Sequence, residues 1–349
     1  MKQNGKTVFV GLSGGVDSSV AAALLRKEGY KVIGVYMKCW TEGASCTSQE
    51  DERSARLAAA HLGIPLYVWN FLVEYRAKVV DYMLEGYRRG LTPNPDIMCN
   101  KEIKFGLFFE RAMALGADYV ATGHYARITR HGTAPRILQG VDKEKDQSYF
   151  LSFIRPEVLP KVLFPIGEYK KTEVRKMAKK FGLPNAERKD SQGICFVGKI
   201  EIGDFLRQYI KPKKGSIVDT AGKKLGEHDG AFYYTIGQRK GIGLSGGPWY
   251  VVEKDLLNNT LTVSKQEKDI LHAKAHVTNV HWLLPQAPQD LDMEVRLRYR
   301  QQSIPVSLTE TGKDSYTLSF QTAQRAITPG QFAVFYKGEE MVGAGVLTH

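Results

Sequence analysis

The chain has 349 residues, with 49 lysine and arginine residues against 37 aspartate and glutamate residues, a formal net charge of +12. At ~100–200 residues per domain, this length predicts two or three domains. The content of 43% hydrophobic and 25% charged residues excludes an intrinsically disordered chain. No apolar run approaches the ~20 residues of a membrane span, and the N-terminus lacks the apolar stretch and cleavage site of a signal peptide, so we expect a cytoplasmic protein without membrane contact.

The first 125 residues alternate predicted strands and helices. Strands are predicted at 7–13, 31–37, 65–71 and 117–126, and helices at 17–29, 48–63, 72–90 and 101–115. This alternation is typical of an α/β fold, a doubly wound parallel sheet covered by helices on both faces. Such sheets bind ligands beyond the carboxyl ends of their strands.

After about residue 200 the pattern changes to short alternating runs separated by Gly, Asn, Pro and Asp, beginning with GSIVDTAGKKLG, AFYYTIGQ and WYVVEKDLLNNTLTVSK. Turn signals every 8–12 residues predict small all-β modules. We therefore expect a catalytic α/β domain at 1–204, a central β-rich domain that contacts nucleic acid at 205–269, and a C-terminal β-barrel at 270–349.

The excess positive charge is concentrated between Arg155 and Lys240, where 19 basic residues face 10 acidic ones. The segment KKTEVRKMAKK (170–180) is interpreted as a solvated helix face. The glycine-flanked segments 211–215, 222–224 and 237–241 have the composition of loops, in which the backbone can approach phosphates. This distribution favours a nucleic-acid partner.

A glycine-rich loop, GLSGGVDS (11–18), connects the first predicted strand to the first helix. Its N–H groups and the helix N-terminus can bind an anion, although neither the Walker A nor the dinucleotide spacing is present. Asp17 would repel bare phosphate, so its position favours a Mg²⁺ ion bridging it to the ligand. With a strand before it, SGGVDSS resembles the pyrophosphate loop of the N-type ATP pyrophosphatases, which adenylate an oxygen of a second substrate.

Two cysteines stand out from the four in the chain. Cys99 follows two prolines in LTPNPDIMCNKEIKF (91–105) and is predicted to lie in a loop just before a helix, where Lys101 and Lys104 should lower its pKa. Asp96 lies three residues away and can serve as a proton donor or acceptor, or only as a capping residue. Cys195, in DSQGICFVG (190–198), has an apolar context that alone favours the core. Cys39 and Cys46 are left unassigned.

Six segments in this order resemble the tRNA-specific 2-thiouridylases over essentially the whole chain: GLSGGVDSS, TPNPDIMCNKEIKF, ATGHYARI, KDQSYFLSF, DSQGICFVG and TPGQFAVFY. Bacterial members of this family modify the wobble uridine of the tRNAs for Lys, Glu and Gln. The resemblance implies ATP, Mg²⁺, a tRNA partner, a cysteine desulfurase or sulfur-carrier relay, and a monomer. It implies that the ATP phosphates are bound by Gly11, Leu12, Ser13, Gly14, Gly15, Val16, Asp17 and Ser18, and the adenosine by Met37 and Gly123.

The resemblance also implies a catalytic centre in which Cys195 carries a persulfide, Cys99 is the second thiol and redox disulfide partner, and Asp96 is the acid or base. The target base would be surrounded by Asn94, Pro95 and Asp96. The implied tRNA contacts are His124, Lys145, Asp146, Gln147, Arg298, Tyr299 and Gln331. Local explanations remain for some of these, since His124 could be a satisfied strand-end residue, Arg298 and Tyr299 could face outward from a strand, and Gln331 could only cap a turn.

Three other functions remain open from the residues. An ATP pyrophosphatase acting on a small molecule, as synthetases and amidotransferases do, explains the loop but neither the cysteines nor the basic middle region. A non-catalytic RNA-binding protein could use ATP as a structural ligand. An iron–sulfur thiolase could use Cys99, Cys195 and Asp96 as cluster ligands, although three thiols at cluster spacing are not evident.

Overall fold

The computed structural model describes residues 5–42, 48–129, 134–190, 195, 202–284 and 286–348. In this part of the chain there are three sheets, of five, four and eight strands. None of the helices described there has both the length and the apolar character needed to cross a membrane. Cys46 and the neighbours of Cys195 at 191–194 and 196–198 lie outside the described residues.

The first sheet lies in the N-terminal half and is parallel, as predicted. The strands of this half are β1 (Thr7–Gly11), β2 (Lys31–Lys38), β3 (Leu66–Asn70), β4 (Tyr119–Ala121), β5 (Ala126–Thr129), β6 (Arg136–Gln139) and β7 (Val162–Leu163). The sheet has the order β3-β2-β1-β4-β7. Because the winding direction reverses at β1, the carboxyl end of β1 is the switch point at which such sheets bind ligands.

Helices cover both faces of this sheet. They are α1 (Val16–Lys27), α2 (Ser48–Leu62), α3 (Leu72–Tyr75), α4 (Asp81–Arg88), α5 (Pro95–Met98), α6 (Phe109–Ala114), α7 (Lys171–Lys180) and α8 (Ile202–Tyr209). Phe9 of β1 packs into one hydrophobic cluster, while its neighbours Val8 and Val10 pack into another on the opposite face. This alternation of burial along one strand is what a sheet covered on both sides requires.

Two π-helical segments interrupt the helical connections. Arg76–Val80 joins α3 to α4, and Cys99–Phe108 joins α5 to α6. The predicted helix at 72–90 is therefore one continuous helical stretch with a π-helical middle. π-Helical turns are rare and are frequently found at functional sites.

The predicted loop before residue 101 is wrong, because the helix already begins at Pro95. Asn94 is its N-cap and accepts a hydrogen bond from the backbone N–H of Ile97 at 3.2 Å. Proline is well suited to the first helical position, where its missing N–H costs no hydrogen bond. Cys99 consequently lies within a helical segment rather than ahead of one.

The predicted strand at 117–126 is too long, since β4 ends at Ala121. At Gly123 the chain has left the sheet to pass the start of α1, where a Cβ atom would lie 2.6 Å from the backbone nitrogen of Ser18. From Ala126 the chain enters β5, which belongs to a different sheet. The close approach at Gly123 therefore explains why the strand is interrupted.

The four-stranded sheet has the order β10-β11-β8-β9. Its strands are β8 (Gly215–Asp219), β9 (Lys224–His228), β10 (Tyr250–Asp255) and β11 (Thr260–Ser264). The expected strand in AFYYTIGQ is wrong, because Ala231–Tyr233 forms a short 3₁₀ turn. Gly230 precedes this turn with φ = 143°, a conformation that favours glycine and interrupts an extended run.

The remaining strands form the C-terminal barrel. They are β12 (Leu271–Trp282), β13 (Asp292–Arg296), β14 (Ile304–Gly312), β15 (Ser315–Arg325), β16 (Phe332–Lys337) and β17 (Glu340–Thr348). Pairing of β12 with β17 closes this six-stranded barrel, as predicted. The β5–β6 hairpin extends the barrel sheet through β17, and Lys143 reaches Glu339 at 2.6 Å. The barrel is thus joined directly to the N-terminal half.

Candidate active site

The glycine-rich loop leaves β1 at Gly11 and enters α1 at Val16. Ser18 shapes it, because its Oγ accepts from the N–H of Ser13 at 3.2 Å and donates to the carbonyl of Gly15 at 3.1 Å. Gly14 has φ = 80°, and a Cβ atom there would lie 2.2 Å from the carbonyl oxygen of Asp51. The loop therefore requires glycine at position 14, and the start of α1 supplies N–H groups for an anion.

Asp17 has a protein cation beside it. Both of its carboxylate oxygens accept from the ammonium group of Lys171, at 2.7 and 2.8 Å, and Tyr125 donates to one of them at 2.9 Å. Lys171 also lies 2.8 Å from Asp190. Lys171 thus supplies a positive charge beside the carboxylate for which Mg²⁺ was invoked. Among the described residues, no three His, Cys, Asp or Glu side chains are grouped to hold a metal ion.

Met37 and Gly123 lie on either side of the loop, at the ends of β2 and β4. The methyl carbon of Met37 would lie 3.0 Å from a Cβ atom at Gly11, and Gly123 lies against the first turn of α1. Both residues border the same cavity as the loop. The two positions expected to contact adenosine are therefore adjacent to the positions expected to bind phosphate.

The two cysteines that the sequence separates by 96 residues lie together. The Sγ atoms of Cys99 and Cys195 are 3.6 Å apart. Asp96 accepts from the backbone N–H of Cys195 at 3.0 Å, and Tyr75 donates to the Cys195 carbonyl. Since Asp96, Cys99 and Tyr75 all lie in the helical stretches that contain the π-helical segments, this part of the fold positions Cys195.

The two thiols have opposite electrostatic environments. Burial raises the pKa of Cys99 well above its ordinary value, so the predicted lowering of its pKa is wrong. The hydrogen bond from Cys99, together with the Lys104 ammonium, lowers the pKa of Cys195. Burial also raises the pKa of Asp96, although its bond from Cys195 and the charge of Lys104 oppose that rise. These directions favour the thiolate form at Cys195 over that at Cys99.

One cavity of about 350 Å³ connects the glycine-rich loop to Cys195. Its lining also includes Lys104, which was expected to act on Cys99, and groups to which the sequence analysis gave no role: Cys39, Tyr125, Lys171 and Asp190. Lys171 was interpreted as part of a solvated helix face, but it is only 8% exposed. Its position as the first residue of a helix rich in lysine gave no signal that it lies beside Asp17.

Four predicted tRNA contacts line or adjoin this cavity. His124 is buried against Phe105 and Phe164, and this burial lowers its pKa well below the ordinary value. Lys145 and Gln147 line the cavity, Lys145 with its ammonium 3.1 Å from Asp190. Tyr299 of the barrel lies at the same rim. The barrel therefore contributes to the cavity mouth.

The other predicted tRNA contacts are engaged inside the protein. Asp146 is 3% exposed and accepts from Arg296 of β13 at 2.6 Å. Arg298 donates to the carbonyl of Ala326 at 2.7 Å. Gln331 donates to the carbonyl of Thr92 at 2.8 Å, next to Asn94. The bonds of Asp146 and Gln331 join the barrel to the N-terminal half, whereas that of Arg298 lies within the barrel domain. The contacts of all three residues with tRNA stay predictions.

Three family models match the chain in succession. They are described as the tRNA methyl transferase HUP domain (residues 6–199), the tRNA methyl transferase PRC-barrel domain (203–265) and the aminomethyltransferase β-barrel domain (272–347). The first covers more than half of the chain. Together with the parallel sheet and the glycine-rich loop, these matches place the chain in a class of proteins with a HUP-type α/β domain followed by two β-barrel domains.

Full-length relatives identify the family within this class. The chain is 47% identical to the tRNA-specific 2-thiouridylase of Enterococcus faecalis, over 99% of this chain and 96% of the relative. It is 46% identical to that of Bacillus subtilis, over 97% and 94% of the two chains. The chain belongs to the tRNA-specific 2-thiouridylase family.

Solved structures show weaker similarity. A 4-thiouridine synthetase in complex with RNA and ATP is 20% identical, with a TM-score of 0.36, over 58% of this chain and 50% of that chain. The NMN synthetase of Francisella tularensis is 20% identical, with a TM-score of 0.35, over 53% and 66% of the two chains.

Proposed function

We propose that this protein catalyses ATP-dependent 2-thiolation of the wobble uridine of the tRNAs for Lys, Glu and Gln. The observation that carries this proposal is the single cavity that joins an anion-binding loop to a pair of thiols 3.6 Å apart. Adenylation and sulfur transfer need both components within reach of one base. Membership of the 2-thiouridylase family supports the same reaction.

The loop performs the first step. The O2 oxygen of uracil attacks the α-phosphorus of ATP, and pyrophosphate leaves towards the N–H groups at the start of α1. These groups and the adjacent ammonium of Lys171 stabilise the charge on the leaving group. The C2 position then carries AMP, a much better leaving group than hydroxide.

A Mg²⁺ ion held by Asp17 stays a prediction. The donor set does not favour it, because both carboxylate oxygens of Asp17 are bound to Lys171 and nearby Asp190 shares that lysine. We therefore derive no step of the reaction from a metal ion.

The thiol pair performs the second step. The Cys195 thiolate attacks the outer sulfur of a donor persulfide, the S–S bond of the donor breaks, and the donor leaves as a thiolate. The terminal sulfur on Cys195 then attacks C2 as AMP leaves, and Cys99 attacks the Cys195 sulfur of this adduct, so that the S–S bond breaks and the sulfur stays on C2. Alternatively, Cys99 attacks the Cys195 sulfur of the persulfide first, and the sulfide that is released in place attacks C2 as AMP leaves. Both routes leave a Cys99–Cys195 disulfide, which two electrons from an external thiol reduce. Asp96, hydrogen-bonded at Cys195, is placed to transfer the proton.

The tRNA reaches this cavity with its wobble base out of the anticodon stack. We infer that the basic stretch between Arg155 and Lys240 binds the backbone phosphates, so affinity should fall steeply with salt. Near-constant affinity between 50 and 200 mM salt would contradict that role. The sulfur donor is a cysteine desulfurase or a relay protein, and the protein acts as a monomer.

Sulfur incorporation into transcribed tRNA-Lys tests the proposal. With ATP, Mg²⁺ and a persulfide donor, the wild type should make 2-thiouridine, while Cys99→Ala and Cys195→Ala should bind tRNA without thiolating it. Cys39→Ala removes another buried thiol at the same cavity and is the matched control that should remain active. Activity in both catalytic variants, or pyrophosphate release without tRNA, would instead favour a small-molecule substrate.

A further inference from the structure

Lys104 reaches the thiol pair because of an unusual helical register. It follows Cys99 by five residues within the π-helical segment Cys99–Phe108. In an α-helix, with 3.6 residues per turn, a residue five positions on lies about 140° around the axis. In a π-helix the i→i+5 hydrogen bonds place that residue on nearly the same side. The side chains of Cys99 and Lys104 therefore share one face of the segment.

On that face Lys104 lines the same cavity as Cys195. After the hydrogen bond from Cys99, the ammonium charge of Lys104 is a further cause that lowers the pKa of the Cys195 thiol. Among the residues that the structure describes, the titratable groups whose charges act within this thiol site are Asp96, Cys99, Cys39 and Tyr75 besides Lys104. All except Lys104 become anionic on losing a proton. Of these five residues, Lys104 is therefore the one that places a positive charge near Cys195.

Lys101 provides a natural comparison in the same segment. Its ammonium lies 3.3 Å from Glu102, and its side chain is 40% exposed. Glu102 is also bound by Lys78 at 3.0 Å. Lys101 thus has the same charge and nearly the same position in sequence as Lys104, but it is paired with a carboxylate outside the thiol site.

We propose that Lys104 is a catalytic residue that keeps Cys195 in its thiolate form and then binds the anionic terminal sulfur formed on it. The first role concerns the free enzyme and needs neither tRNA nor ATP. The second rests on the proposed function, since it takes the sulfur donor to be a persulfide. In that step the Cys195 sulfur forms a bond to the outer sulfur, the donor leaves as a thiolate, and the proton of the persulfide departs to solvent, leaving a negative sulfur beside Lys104.

The test is the pH dependence of Cys195 alkylation by iodoacetamide, read from the Cys195 peptide by mass spectrometry, with the full-length protein and no substrates. Lys104→Met should move the midpoint upward by about one pH unit or more and slow the reaction about tenfold at pH 7. Lys104→Arg should restore most of the rate because it keeps the charge. Lys101→Met should change it less than about twofold.

An unchanged alkylation profile in Lys104→Met would overturn the proposal. Lys104→Gln, which keeps a polar head group, provides the same comparison if the methionine variant does not fold, and circular dichroism reports folding. A shifted profile in a protein that fails to thiolate tRNA would reject the proposed function while leaving the thiolate role of Lys104 intact. Loss of thiolation in Lys104→Met with a wild-type alkylation profile would likewise count against it.

Discussion

Replacing Asp146 tests whether this residue acts inside the protein or at the tRNA. Its carboxylate accepts from Arg296 at 2.6 Å and from the hydroxyl of Ser148 at 2.9 Å, and it also accepts from the backbone N–H of Gly140 at 2.9 Å. The guanidinium group of Arg296 lies over the ring of Tyr336, 4.6 Å from its centre, with the arginine side chain only 12% exposed. Asp146→Asn would leave this arginine largely buried without a counter-ion.

The expected cost follows from that geometry. Removing one partner of a buried ion pair destabilises a protein by about 3–5 kcal/mol, because the other charge is left uncompensated. Arg296→Met should cost less, since Asp146 keeps three other donors: the N–H groups of Gly140 and Ser148 and the Ser148 hydroxyl. The double variant should be less destabilised than the sum of the single variants, by about 1–3 kcal/mol, because the unpaired charge is then removed.

Urea unfolding followed by tryptophan fluorescence measures the three free energies, and filter binding at fixed salt measures tRNA affinity. We expect Asp146→Asn to lower the urea midpoint while the folded fraction binds tRNA normally. A wild-type midpoint combined with lost tRNA affinity would refute this reasoning and assign Asp146 to the tRNA interface. Strict additivity of the two single variants would also refute it.

Three further predictions concern the cavity and its surroundings. Gly14→Ala should weaken ATP binding at least about tenfold by calorimetry, since its Cβ would meet the Asp51 carbonyl, whereas Gly116→Ala has a similar positive φ in open space and should bind ATP normally. Burial raises the pKa of Asp190, but hydrogen bonds from Lys171 and Lys145 lower it more and hold the pKa at about 2. The ionised Asp190 therefore stabilises the fold fully above its unfolded pKa of about 4, and this stabilisation is lost as the pH falls towards 2. Between these two pH values the urea midpoint should fall more steeply in the wild type than in Asp190→Asn. Parallel plots of midpoint against pH would contradict this role of Asp190. Tyr75→Phe removes the hydrogen bond to the carbonyl of the reactive cysteine and should slow thiolation about tenfold with unchanged ATP affinity; an unchanged rate would show that this bond does not position the thiol.

Local patterns in the sequence predict the elements of the N-terminal sheet and the place of the loop. Apolar runs of strand length alternate with amphipathic helices, and glycines mark where strand passes to helix. These signals are local, so the parallel sheet and the C-terminal barrel could be predicted. The same patterns failed at Gly123, where the strand ends because the backbone passes against α1. Contact between elements distant in sequence decided that boundary.

The ion pair between Asp17 and Lys171 could not be predicted from local patterns either. Asp17 and Lys171 are 154 positions apart, and each has an ordinary local explanation. Asp17 fits the first turn of a helix, and Lys171 begins a basic helix that is otherwise mostly solvated. Only the packing of α7 against α1 brings the ammonium to the carboxylate. The local sequence therefore could not predict the lysine that lies beside Asp17, and the Mg²⁺ ion expected there stays a prediction.

The assignment of the reactive thiol depends both on the local sequence and on contacts between residues distant in sequence. The proximity of Cys99 to prolines and lysines suggested a thiolate at Cys99, on the assumption of an ordinary helix start. The helix instead begins at Pro95, which buries Cys99, and the π-helical register directs Lys104 to Cys195. The same lysine thus favours the thiolate of the cysteine that is distant in sequence. The resemblance to a known family indicates which residues belong to the centre and that Cys195 carries the sulfur. The burial of Cys99 and the charge of Lys104 supply a physical reason that the local sequence does not contain.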